Sequence, residues 1–432
     1  SRRTCGAAPC APRWATVRPM SEAKRPSQLG AAVGICALAF LILFGYAVAR
    51  PATESLFLKV HGAEALPGVW IAVAVAVVFV VSLYNSAVAR VGLIAVLVGV
   101  VALSAMSLIV LLVLEPAHPS GVAYALYVWK DVYIVIAIEG LWSLANLVFP
   151  TKTARWAYGL FCAAGSVGGI AGNLSVGALA AAFGTATSLW LAVVVFALQA
   201  VVALALGRAA GNPRPERKAK PGLGDSWRVL RNSSYLGWML LLIASIQVVI
   251  TLVDYQFNAV IQQAYPDTDR RTAIIGQVYA AIDASSLGLQ LTTGVLLKAL
   301  GLRRVLIGIP LVLGTVLVTF LALPRFTVMA VSKIASKAMD YSLMRASKEM
   351  LYIPLTYDEK TRGKALVDML AYRVAKGGAS LLITPLLALA VPLVVVYAAF
   401  GYLYFAFRSQ LDQELGRRLV AVASASATGV NG

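Results

Sequence analysis

Charge is scarce in this chain. Lys, Arg, Asp and Glu make up only 13% of its 432 residues, about half the share in an ordinary soluble domain, so a water-facing surface of this size cannot be coated. Histidine is almost absent, and the four cysteines are scattered. Cys5 and Cys10 lie in a basic leading stretch, while Cys36 and Cys162 fall in different apolar runs. Neither a disulfide framework nor a metal-ligand spacing results, and no cofactor is expected. His61 and His118 sit between apolar runs, where solvated loop residues are the expectation. An intramembrane hydrolase or transferase would need a base or a metal cluster at membrane depth, and no histidine is placed to supply one. Basic stripes interleaved with aromatics are also missing, which argues against nucleic acid as a partner despite a net charge of +18.

What the chain has instead is apolar length. Hydrophobic residues make up 60% of it and the mean hydropathy is +0.80. A bilayer crossing takes about 20 such residues. Twelve runs punctuated by charge or proline fit that length, at 29–49, 66–88, 91–114, 122–149, 157–182, 187–207, 234–262, 273–297, 304–323, 326–352, 365–386 and 388–407. They lack the short alternating pattern of barrel strands, so helices are predicted, since lipid cannot satisfy free backbone groups. The expected class is an all-α polytopic membrane protein whose lipid bilayer is its main solvent. No room is left for a separate soluble catalytic domain.

Basic residues give the expected orientation. With both tails and every second loop taken as one side, that side holds twenty-five of the 37 Lys and Arg. The other side holds five: Arg50, Lys59, Arg270, Arg271 and Arg325. By the positive-inside rule both termini are expected in the cytoplasm. The stretch from Ser1 to Pro19 precedes Met20, a candidate initiator, and the first apolar run is too long for a signal peptide. The chain then reads as a tail over 1–28, six runs over 29–207, a basic linker over 208–233, six more runs over 234–407 and a tail over 408–432. Two six-helix halves around a central path are the expected architecture. Gly165, Gly168, Gly169 and Gly172 give overlapping small-residue spacings that let helices approach closely, and Gly377, Gly378 and Ala379 are expected to do the same in the eleventh run.

Seven basic residues remain at membrane depth: Lys130, Lys333, Lys337, Arg345, Lys348, Arg373 and Lys376. Acidic residues at comparable depth are Asp131, Glu139, Asp254, Asp283, Asp340 and Asp368. Each such charge costs about 2.5–3.5 kcal/mol at a span centre, so a set this large implies a watery cavity or mutual pairing. Lys333, Lys337 and Asp340 follow an i, i+4, i+7 spacing, Asp254, Asn258 and Gln262 repeat every four residues, and so do Asp368, Tyr372 and Lys376. Desolvated cations attract phosphate and carboxylate strongly, so an anionic small molecule is the expected substrate. Asp131, Glu139, Asp283 and Asp368 are candidates for coupling its movement to a proton or counter-substrate.

Several strings of residues resemble a known family. Tyr341-Ser342, Lys348-Glu349-Met350-Leu351-Tyr352-Ile353-Pro354-Leu355, Arg362-Gly363-Lys364-Ala365 and Asp368 are similar to the signature of the ATP/ADP translocases of plastids and intracellular bacteria. Shorter matches accompany them: Arg50 with Gly62-Ala63-Glu64 and Leu66-Pro67, Ala145-Asn146, Ala154-Arg155, Tyr158-Gly159-Leu160-Phe161, and Leu252-Val253-Asp254 ahead of Pro266. The resemblance covers most of the chain from about 40 to 390. It implies a twelve-helix, major-facilitator-like carrier that exchanges nucleotides without hydrolysing them, with the first, fourth, seventh and tenth spans lining the path. This sequence departs from the family at charged positions. Thr53 and Asn258 stand where the family has lysine, Lys130 and Asp254 stand where it has glutamate, and Lys376 keeps the family's identity.

The expectation is therefore a secondary carrier, not an enzyme, in a bacterial inner membrane, with a nucleotide as first candidate and a monomer as the simplest assembly. Lys376, Lys130, Lys333, Lys337, Arg373 and Arg50 would hold the anion, while Asp254 and Asp340 would balance the charge. A proton-coupled carrier of another organic ion and a lipid flippase remain as alternatives. The only Gly-Lys pair, Gly363-Lys364, precedes Ala365 and lacks the earlier glycine of a Walker sequence, so any nucleotide would be cargo.

Overall fold

The computed structural model describes residues 28–149, 151–210, 223–356, 359–364, 367, 370, 375–389 and 393–428. Those residues are almost all helical, with no strand among them. The helices are α1 (Gln28–His61), α2 (Leu66–Val91), α3 (Leu93–Leu114), α4 (Pro119–Val148), α5 (Thr151–Phe183), α6 (Thr185–Ser188), α7 (Trp190–Ala210), α8 (Leu223–Asn232), α9 (Ser234–Ala264) and α10 (Thr268–Ala322). They continue as α11 (Phe326–Met339), a π turn (Asp340–Met344), α12 (Arg345–Leu351), α13 (Ala375–Ala388) and α14 (Leu393–Thr428).

Eight helical stretches among the described residues are long and apolar enough to cross a membrane, against the twelve runs expected. The difference has local causes. Helix α10 covers two of the expected runs. Its Gly301 has φ 75°, a left-handed conformation that a side chain disfavours. The chain doubles back there, because Tyr279 near one end and Val316 near the other both meet the same turn of α11, at Lys333 and Ser332. The tenth run is interrupted by the π turn, and the eleventh and twelfth lie partly outside the described residues. Large apolar side chains such as Val75, Phe79, Val113, Leu291 and Leu381 point outward, as a lipid-facing surface requires.

One buried apolar cluster is confined to residues 31–206 and another to 230–411. A third combines Phe57, Leu66, Trp70 and Tyr127 with Val249, Phe257, Tyr279 and Met329. It joins the amino- and carboxy-terminal helices at the end of the bundle where α1 finishes. Polar contacts seal that same end. Gln262 accepts from Ala63 N–H at 2.8 Å and donates to Leu58 O at 3.3 Å. The buried Arg271 donates to Ser55 Oγ and to the carbonyls of Ser55, Tyr265 and Pro266. Asp269 accepts from both Thr185 N–H and Thr185 Oγ1 at 2.7 Å. Arg271 was counted with solvated loop charges from the sequence, whereas the fold buries it in this seal.

Helix α5 packs along α1, and its glycines explain how. A methyl group on Gly172 would lie 2.5 Å from Phe44 O, and one on Gly168 would also strike the α1 backbone at Phe40. The expected counterpart differs. Gly377 and Gly378 have open space beside them, and only Ala379 is packed.

At the opposite end, where α1 begins, Arg418 grips Glu359 through two contacts of 2.8 and 2.9 Å. Ser233, the N-cap of α9, also donates to Glu359, as does Thr356 N–H at 2.9 Å. Burial pushes the Glu359 carboxyl up, but these donors outweigh it and bring the pKa down to about 2.

Candidate functional site

Between the amino- and carboxy-terminal helices lies a cavity of about 630 Å³, within the usual size of small-molecule sites. It runs from the sealed end toward the end where α1 begins. One face of each of α1, α4, α5, α9, α10, α11 and α13 contributes to it.

Helix α1 supplies the first charges. Pro51 lies inside it, yet the helix continues to His61, so Arg50 and Glu54 stand one turn apart in its interior instead of in a loop. Arg50 Nε is 3.3 Å from Glu54 Oε1, and its guanidinium stacks 3.8 Å over the Tyr279 ring. Tyr279 Oη donates to Glu54 Oε2 at 2.6 Å, bridging α1 and α10. Lys130 of α4 lies 3.6 Å from Glu54 and 3.0 Å from Asp131, with its ammonium 3.9 Å over the Tyr127 ring. Tyr127 accepts from Trp70 Nε1 at 2.8 Å.

The carboxy-terminal helices supply a second cluster. Asp254 of α9 is clamped between two lysines of α11, with Lys333 Nζ at 2.6 Å and Lys337 Nζ at 2.7 Å. Asp254 accepts both contacts as charge-assisted hydrogen bonds, the strong kind. Lys376 of α13 lies 5.3 Å over the Trp70 ring and has no carboxylate within 4 Å among the described residues. Arg50 and Lys130 also lie over aromatic rings, but both are ion-paired, whereas Lys376 makes no ion pair among the described residues.

The expected stripes hold in part. Lys130, Lys333, Lys337, Arg345 and Lys376 all line this one cavity, together with Arg50. Asp254 and Asn258 line it too, while Gln262 turns to the seal. Asp340 does not. Its Oδ1 accepts from the buried Gln247 at 2.7 Å, outside the lining. The π turn that begins at Asp340 changes the number of residues per turn after that point, and Tyr341 and Arg345 continue the lining from Lys333 and Lys337. Lys348 is buried away from the lining.

Among the coupling candidates, Asp131 lines the cavity, pairing with Lys130 and lying 3.5 Å from Tyr46 Oη. Asp283 lines it as well and accepts from Asn173 Nδ2 at 3.0 Å. Glu139 is exposed and off the lining face of α4, turned from Ile138 by about 100°. Asp368 and Arg373 lie outside the described residues. Sequence reasoning missed Glu54 and Tyr279. Four-residue spacing from Arg50 would have found Glu54 had the helix been carried through Pro51, but nothing in the sequence marks Tyr279.

Among the described residues, six basic side chains thus face four acidic ones, Glu54, Asp131, Asp254 and Asp283, across one cavity. The excess is positive, and three of the acids are already engaged by lysine or arginine. No group of His, Cys, Asp and Glu suited to a metal occurs among the described residues.

Known proteins share this fold. A mutant of the nucleoside transporter NupG superposes with a TM-score of 0.70 at 11% identity, covering 88% of this chain and 99% of that one. PepTSo, a transporter of the POT family, gives 0.61 at 14% identity, covering 93% and 99%. The fold is shared with these helical transporters, and eight helices of crossing length mark the chain as an integral membrane protein.

The sequence matches are narrower and more specific. Residues 311–407 match the TLC ATP/ADP transporter family. ADP,ATP carrier protein 1 of Chlamydia muridarum is 31% identical over 193 residues, 38% of this chain and 36% of the relative. ADP,ATP carrier protein 3 of Rickettsia conorii is 23% identical over 304 residues, 59% and 61% respectively. The first of these matches spans about a third of the relative's length. Over these stretches the chain is similar to the ATP/ADP carriers.

Proposed function

We propose that this protein is a secondary transporter that moves an anionic, phosphorylated metabolite by alternating access, with nucleotides as first candidates. The cavity that gathers Arg50, Lys130, Lys333, Lys337, Arg345 and Lys376 at membrane depth carries this reading. Cations buried in a low-dielectric wall bind phosphate far more strongly than exposed ones. Lys376 and Arg50 would take the anion first, because Lys376 has no carboxylate within 4 Å among the described residues and Arg50 shares Glu54 with Lys130. Lys333 and Lys337 would follow as the substrate competes with Asp254.

In this reading the chain crosses the membrane twelve times in two six-helix halves, 29–207 and 234–407, joined by the basic linker over 208–233. The halves rock about the cavity, with both termini in the cytoplasm of a bacterium. The seal around Gln262, Arg271 and Asp269 is then the outer gate and the state described is open to the cytoplasm. The cargo leaves unaltered. Charge balance also supports an exchange mode, because an empty cavity keeps its surplus of cations and is costly to close, while a loaded one is neutralised.

The test is counterflow in proteoliposomes. Vesicles loaded with unlabelled nucleotide should take up labelled nucleotide faster than empty vesicles, and Lys376→Gln should slow that uptake at least tenfold. Equal uptake by protein-free vesicles, or uptake of organic cations in preference to phosphorylated anions, would overturn the proposal.

A further inference from the structure

Along the wall where α5 meets α10, three polar side chains stand apart from the lysine-rich clusters. Asp283 makes none of the ion pairs that engage the other carboxylates of the cavity. It rests against α5 because Gly169 leaves room there, since a methyl group at that position would lie 2.6 Å from Asp283 Oδ2. Asn173 gives its Nδ2 to Asp283, but its Oδ1 is buried with no partner, and the residue is 3% exposed. Ser286, one turn along α10 from Asp283, is 4% exposed and its Oγ also has no partner.

That last feature is unusual in this molecule. Ser175, Ser245, Ser332, Ser342 and Ser380 all return their hydroxyls to a helix carbonyl three or four residues back, the ordinary fate of a serine inside a helix. Ser286 does not. Turning the Asn173 amide over gives no relief, because Oδ1 would then face the Asp283 carboxylate. Two buried oxygens and one carboxylate with no cationic side chain within 4 Å among the described residues therefore share one stretch of the cavity wall.

We propose that Asp283, Asn173 Oδ1 and Ser286 Oγ form a binding site for a small monovalent cation, Na⁺, completed by water from the cavity. Carboxylate, amide and hydroxyl oxygens are the hard donors that such ions select. A single negative charge matches a single positive one. A proton on Asp283 would offer one hydrogen bond and serve one oxygen, whereas a cation serves all three. The site also stands in the same cavity as the anion berth, and this part of the inference rests on the transport function proposed above. With the cavity empty, six basic groups disfavour a further cation. An anion bound among them removes that penalty, so each ligand should tighten the binding of the other by the same factor.

The test uses the purified full-length chain in detergent, following thermal unfolding in NaCl against choline chloride at constant total chloride and pH. Na⁺ should raise the midpoint in a saturable manner without any organic anion. Ser286→Ala should weaken the apparent Na⁺ affinity about tenfold or more, a loss typical of an impaired metal site, and Asp283→Asn should abolish the response. Should Asp283→Asn fold poorly, Ser286→Ala carries the test together with direct binding of labelled Na⁺ to the wild type. Identical midpoints in the two salts, an undiminished response in Ser286→Ala, or a rise that follows pH in choline with no dependence on Na⁺ would each overturn the site. Adding ADP should tighten Na⁺ binding. If Na⁺ binds but ADP leaves its affinity unchanged, the cation site stands and the anion linkage falls.

Discussion

Asp254 offers the sharpest perturbation, because one carboxylate holds two ammonium groups at 2.6 and 2.7 Å. Asp254→Asn keeps the shape and removes the charge, leaving Lys333 and Lys337 facing each other. Removing one partner of a buried ion pair costs about 3–5 kcal/mol, chiefly because the other charge is left uncompensated. Lys337 keeps 12% of its side-chain surface open, so water relieves part of the penalty and the lower end of that range applies. An anion in the cavity would restore the missing counter-charge. Phosphate or nucleotide should therefore stabilise the variant more than the wild type, by about 1.5–3 kcal/mol, the worth of a charge-assisted hydrogen bond. The assay is unfolding in detergent with and without the anion, against chloride at equal ionic strength. A variant as stable as the wild type, or one no more responsive to anions, would refute the view that the carboxylate stands in for the substrate.

The link between Glu359 and Arg418 gives a pH dependence. Its folded pKa of about 2 lies below the unfolded value, so its contribution is fully present above about pH 4.3 and is lost as pH falls toward 2. Acid unfolding of Glu359→Gln should lack that component. Gly172→Ala should destabilise by about 1–3 kcal/mol through overpacking, because its methyl would meet Phe44 O and the Ala47 side chain. Gly377→Ala, with open space beside it, should be neutral or stabilising, since alanine is the better helix former. Thermal unfolding of the pair distinguishes the two glycines. Lys376→Gln should raise the KM for an anionic substrate at least tenfold with folding unchanged, measured by vesicle uptake beside a melting curve.

Much of this arrangement was legible in the sequence because lipid leaves so few choices. Apolar runs mark the helices, and the expense of charge in hydrocarbon singled out Lys130, Lys333, Lys337 and Lys376 before any fold was seen. The misreadings arise where backbone geometry departs from the regular helix. Arg50 and Pro51 look like the end of a span, yet a bundle tolerates proline within a helix whose neighbours cover the freed carbonyl, and so Glu54 was overlooked. Asp340 shares an ideal helical face with Lys333, but the π turn changes the count of residues per turn just there. Gly377 and Gly378 form an adjacent pair as Gly168 and Gly169 do, and only the fold shows which pair has a helix against it. Ser286 carried no signal at all, since a serine reveals its missing partner only in three dimensions.

The central claim is that the buried lysines form a berth for an anion, and equilibrium binding of a labelled nucleotide to the purified protein tests it most directly. The account predicts saturable binding at one site per chain, displaced by unlabelled phosphorylated compounds and lost when Lys333 and Lys376 are both changed to glutamine in a chain that still melts cooperatively. Binding that survives neutralisation of both lysines would contradict it, as would displacement by organic cations in place of anions.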